Sequence, residues 1–255
     1  MTVHQIIFSP TGGTERVSRH ICEGIGKTTV ITDLCVQEKC LLFPVVREED
    51  IAIVAMPVFA GRVPSLAVRR FRNIAGNNAR CVVVAVYGNR AYDDALLEMY
   101  DVASSMGFRV IAAISAVAEH SIVRMYGTGR PDRKDSDELF GFGKSILERM
   151  ENAGALSPQH IPGNRPYRVA NAGPFPMADE GCTACGKCVA NCPVDAIPEH
   201  DFRNVRKDIC ISCMRCVSIC PTGSRGVGEI KNLLEERLGP LCATRKDNEL
   251  IMQCK

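Results

Sequence analysis

Eight cysteines fall into two runs with one spacing. Cys182, Cys185, Cys188 and Cys192 are followed by Pro193; Cys210, Cys213, Cys216 and Cys220 are followed by Pro221. Each run reads C-x-x-C-x-x-C-x-x-x-C-P, and the second repeats the first at a constant offset. Thiolates are soft ligands, and this density of them suits iron–sulfur chemistry. Zinc sites more often spread four ligands over two C-x-x-C pairs. A disulfide framework would need an oxidising compartment, and no secretory signal is read at Met1, which leads straight into a strand-like segment. The expected setting is therefore cytoplasmic, and the expected chemistry is one-electron transfer at low potential.

The paired runs closely resemble the two-cluster bacterial ferredoxins. The resemblance implies two [4Fe–4S] clusters, each wrapped by three cysteines of one run and completed by the fourth of the other. It assigns Cys182, Cys185, Cys188 and Cys220 to one cluster, and Cys210, Cys213, Cys216 and Cys192 to the second. Crossed wiring makes the two runs one folding unit, because ligation supplies energy that so short a segment cannot draw from apolar burial. Lys187 and Arg215 each precede the third cysteine of a run. A positive charge there would favour a reduced cluster and attract an acidic partner; the alternative is two solvated side chains. Cys22, Cys35, Cys40, Cys81, Cys242 and Cys254 remain as plain thiols.

The rest of the chain must position these groups. Its 255 residues are 46 % hydrophobic, enough for one large or two ordinary domains. A net charge of +2 argues against a nucleic-acid surface, and no apolar run approaches the ~20 residues of a membrane span. Apolar segments at 3–9, 28–34, 51–59, 81–88 and 109–119 read as buried strands. Helical patterns follow at 15–26, 64–74, 92–107 and 136–154, the last opening with Ser136 or Asp137 as cap. Such alternation predicts an α/β fold, a doubly wound five-stranded parallel sheet of flavodoxin-like order 2-1-3-4-5, followed by a small α+β dicluster ferredoxin domain. Ligands of such sheets sit beyond the carboxyl ends of the strands.

Three loops lie there. Ser9-Pro10-Thr11-Gly12-Gly13-Thr14 follows the first strand and opens a helix, which suits an anion held by hydroxyls and backbone N–H groups. It contains no Lys, so it is not a Walker loop. The loop resembles the FMN phosphate loop of flavodoxins, which implies FMN held by Ser9, Thr11, Gly12, Gly13 and Thr14. By the same resemblance Pro57, Val58, Phe59, Ala60 and Gly61, with Tyr87, Gly88, Asn89, Tyr92 and Asp93, surround the isoalloxazine ring. Phe59 and Tyr92 are the candidates to stack on it. Glu119, His120 and Ser121 follow the fifth strand, near enough to reach a flavin or substrate. Residues 123–134 form a basic loop that either covers the flavin, docks a partner or is simply solvated.

The expected organisation is a flavin domain at 1–154, a Pro-rich linker at 155–178, the ferredoxin domain at 179–227, and a helix and tail at 228–255. Ile161, Tyr167, Val169 and Phe175 are expected to anchor the linker along the first domain. Ile230, Leu233, Leu234 and Leu238 are expected to form the packing side of the last helix; the tail carries no reading. The whole resembles flavodoxin–ferredoxin fusion proteins. That implies an electron carrier whose partners are redox proteins, with no assigned catalytic residue. The alternative is a flavin reductase of a quinone, nitro compound or other small acceptor, with Arg90, Tyr92 and His120 over the ring. A flavin-free redox sensor is a third reading, which the intact 9–14 loop argues against. The oligomeric state stays open.

Overall fold

The computed structural model describes residues 1–152, 158, 160–170 and 173–252. Strands β1 (Val3–Ile7), β2 (Thr29–Asp33), β3 (Ile51–Pro57), β4 (Arg80–Tyr87) and β5 (Arg109–Val117) run parallel in the order 2-1-3-4-5. Their apolar residues alternate between two cores. Ile6, Phe8, Val54 and Val83 enter one, under α2 (Ser65–Phe71) and α3 (Ala95–Ser105). Ile7, Ile53, Val84 and Ile114 enter the other, under α1 (Gly13–Ile25) and α4 (Arg133–Asn152). Burial on both faces is why the strands read as continuous apolar runs.

The tail adds a sixth strand to the five expected parallel ones. β8 (Glu249–Ile251) adds an antiparallel edge to β5, pairing Ile114 with Leu250. Polar groups hold it. Asn248 Oδ1 accepts from the Val117 amide at 2.9 Å, and its Nδ2 donates to Asp135 and Glu138. Asp135 also takes both nitrogens of Arg130 at 2.9 and 2.5 Å, a pair almost fully buried. Arg130 in turn donates to the Lys246 carbonyl. The basic loop therefore uses Arg130 as an internal clamp. α4 starts three residues earlier than Ser136, because Asp132 and Asp135 form a reciprocal capping box.

The small domain pairs β6 (Met177–Ala178) with β7 (Arg225–Gly226) around α5 (Lys187–Ala190) and α6 (Arg215–Ser218). Buried Arg70 bridges it to the sheet: its guanidinium donates to the Leu34 and Val36 carbonyls at 2.6 and 2.8 Å, and to the Pro193 carbonyl at 2.8 Å. The linker lies along the first domain. Asp94 accepts the Asn164 and Arg168 amides, Asp101 binds Arg165 and the Tyr167 hydroxyl, and Arg62 stacks on Tyr167 at 4.7 Å. Ile161 is buried and Tyr167 and Phe175 half-buried, whereas Val169 is 85 % exposed and anchors nothing. α7 (Ile230–Cys242) is longer than its expected 228–238 span, and it leaves Ile230 and Leu233 exposed.

Gly24 of α1 and Gly143 of α4 meet where the helices cross; a Cβ on Gly143 would strike the Ile21 carbonyl. Gly143→Ala should lower stability by about 1–3 kcal/mol, read as a fall in thermal midpoint. An unchanged midpoint would show that the helices do not cross this closely.

Candidate functional site

The two cysteine runs fold as copies of each other. α5 and α6 occupy matching places, and the left-handed residues match too: Ala184 and Gly186 at φ 52° and 73°, Ser212 and Met214 at φ 52° and 61°. Left-handed residues in a tight loop turn N–H groups toward one side, a geometry that receives anions. Cys182, Cys185, Cys188 and Cys220 ring one small cavity of about 20 Å³. Cys192, Cys210, Cys213 and Cys216 ring a second of the same size. Each ring takes three thiols from one run and one from the other. Among the described residues no three or more of these side chains converge as ligands on a single ion. Burial pushes the free thiols of Cys213 and Cys216 up to about 12. A bare thiolate is disfavoured there. Cys22, Cys35 and Cys81 are buried thiols of the sheet domain, whereas Cys254 lies outside the described residues.

At the carboxyl ends of the strands lies a cavity of about 370 Å³. Thr11, Gly13 and Thr14 line it from the first loop, at the amino end of α1. Ser9 and Gly12 shape that loop from behind: Ser9 Oγ accepts the Glu15 amide at 2.9 Å, and Gly12 takes φ 84°. Pro57, Val58, Phe59, Ala60 and Gly61 form a second wall. Phe59 and Arg62 exchange backbone hydrogen bonds at 2.9 and 3.0 Å around Ala60 and Gly61, both at positive φ, as a tight two-residue turn requires. Tyr87 and Gly88 line a third side.

Three expected residues are engaged elsewhere. Asn89 donates to the Cys242 and Thr244 carbonyls and accepts the Lys246 amide, so it ties down the tail. Tyr92 packs edge-on against Tyr87 at 5.5 Å and donates to Glu249 of β8 at 3.1 Å, which corrects its expected place on a flavin face. Asp93 is paired with Arg90 and Arg168. Sequence reasoning also missed the roof: Leu234, Arg237, Leu238 and Leu241 of α7 close the cavity. Their i, i+4 spacing is visible in the sequence, but what they cover is not. Cys213 lines this cavity as well as its own thiol ring.

His120 stands in the cavity wall. Its Nδ1 accepts the Ile122 and Val123 amides at 3.2 and 3.0 Å. Amides only donate, so the neutral ring carries its proton on Nε2. Burial, then the nearby Arg90 charge, pushes the imidazole down to about 4.

Residues 177–225 match a family model described as a 4Fe-4S dicluster domain. No curated protein matches the chain. Among solved structures it is similar to a flavodoxin of Streptococcus pneumoniae TIGR4, at 17 % identity over 58 % of this chain and 99 % of that one, TM-score 0.42. It is also similar to a flavodoxin, WrbA-like protein from Agrobacterium tumefaciens, at 14 % identity over 60 % and 99 %, TM-score 0.42. Rubredoxin oxygen:oxidoreductase from the anaerobe Desulfovibrio gigas shares 12 % over 59 % and 35 %, TM-score 0.39. The chain thus joins a 4Fe-4S dicluster domain to a sheet of flavodoxin-like order, and its role is in electron transfer. No helix among the described residues is long and apolar enough to cross a membrane.

The unfolded chain protonates His120 near pH 6.5, the folded chain only near 4. Stability that His120 contributes above pH 6.5 is therefore lost as pH falls through that window, by on the order of 3 kcal/mol. Thermal midpoints of the wild type should drop more steeply between those pH values than those of His120→Gln. Parallel curves would mean the ring is not held neutral.

Proposed function

We propose that the chain is an electron carrier in which FMN occupies the 370 Å³ cavity and two [4Fe–4S] clusters occupy the thiol rings. The support is the fit of the residues. Thr11, Gly13, Thr14 and the α1 terminus offer uncharged donors to a phosphate, and no cation stands among the residues of that first loop that line the cavity. The matched left-handed loops and four-thiol rings suit cubanes with thiolate ligands. When bound, clusters supply single electrons, and a flavin joins one-electron to two-electron chemistry.

Cys213 carries the reading, because one residue lines both the second ring and the flavin cavity. It orders the centres: the ring of Cys182, Cys185, Cys188 and Cys220 is distal, that of Cys192, Cys210, Cys213 and Cys216 is proximal, and the flavin lies next. Arg70 and Asp94 hold the two units at a fixed separation, and α7 screens the flavin from solvent. The partners are redox proteins that exchange single electrons at the distal end, where Cys185 is exposed.

Cys213→Ser should leave flavin bound yet slow its reduction by a protein donor by roughly a hundredfold. Reduction at the wild-type rate would remove Cys213 from the route. Thr11→Ala and Thr14→Ala should each weaken FMN binding by roughly tenfold or more, measured by fluorescence titration of the flavin-stripped protein. Unchanged affinity would place the phosphate elsewhere.

A further inference from the structure

A second chamber, of about 820 Å³, adjoins the flavin cavity and shares Val58, Phe59, Ala60 and His120 with it. Its walls are mainly apolar, with Val63, Val68, Ile122 and Ile211. One polar group in it stands ready to donate: the Nε2–H of His120 makes no hydrogen bond among the described residues, while its Nδ1 is fixed by two amides. Arg62 adds no free charge, since Glu98 takes it bidentately at 2.7 and 2.8 Å. Arg69 and Arg72 stand exposed at the rim. The chamber thus offers a hydrogen-bond donor to an uncharged oxygen, apolar walls, and a positive mouth.

We propose that this chamber binds a planar conjugated carbonyl compound of the quinone class, neutral or anionic, oriented by the Nε2–H of His120. This rests on the reading that flavin fills the neighbouring cavity. The compound gains two electrons and two protons: both carbonyl oxygens become hydroxyls, and the ring becomes aromatic. A flavin bound in the neighbouring cavity would, when reduced, supply the two electrons and be oxidised; the two protons would come from water at the open rim. His120 keeps its own proton. It stays neutral under ordinary conditions, so it donates a hydrogen bond to the oxygen on which negative charge builds and acts as a fixed dipole. Cys210 also lines the chamber, which sets the proximal thiol ring against it as well as against the flavin cavity. The chain would then be both a carrier and a terminal reductase.

Binding to the oxidised holoprotein separates this from turnover. Anthraquinone-2-sulfonate is titrated anaerobically while the visible spectrum of the bound flavin is followed. The wild type should bind it saturably. His120→Leu should weaken binding by roughly tenfold. His120→Gln, which keeps a side-chain N–H, should restore most of it. Protein that lacks flavin would overturn the flavin reading. Protein that holds flavin but binds the probe equally in wild type and His120→Leu would overturn this proposal alone.

Discussion

The exchange of fourth cysteines between the two runs is the constraint on which the rest depends. Cys220 stands with the first three thiols and Cys192 with the second three. Neither ring closes unless the chain between them folds back, so 182–220 behaves as a unit too small to be stable by apolar burial alone. The same closure fixes the 210–213 loop. That loop then serves as wall to the second ring, to the 370 Å³ cavity through Cys213, and to the larger chamber through Cys210.

A route for electrons needs distances that do not drift, and the fold supplies this with buried polar clamps. Arg70 spends its donors on three carbonyls, two from the sheet domain and one beside Cys192. Burial lowers its pKa, the cost of a charge held without a carboxylate bond. Asp94 and Asp101 fasten the linker, and Asp135 with Arg130 and Asn248 fastens the tail. Asn89 sets the position of α7, because it holds the Cys242 carbonyl at the end of that helix. Parts far apart in sequence thereby close one cavity.

The sheet was legible because strands buried on both faces leave long apolar runs, and the order 2-1-3-4-5 follows from the alternation with helices. The cysteine rings were legible because their spacing repeats. Three things were not. β8 is three residues long, edge-placed and held by Asn248, so it has neither length nor period to mark it. α7 has a mixed face: Leu234 and Leu238 turn inward while Leu233 stays 66 % exposed, so its leucines alone could not say which side packs. Tyr92 has the right composition and position for a ring-stacking residue, but β8 supplies Glu249 to its hydroxyl, a partner that only the tertiary fold brings. Local pattern reports what a segment buries, and not which distant segment comes to meet it.

The direct test is the order of reaction when electrons reach the flavin from the clusters. Holoprotein is given less than one electron per chain by a rapid photochemical pulse that reduces the iron–sulfur centres, and flavin absorbance is then followed at several dilutions. Transfer through the Cys213 wall requires a first-order rate that is the same at every protein concentration. A rate that scales with concentration, or clusters that stay reduced beside an oxidised flavin, would contradict it.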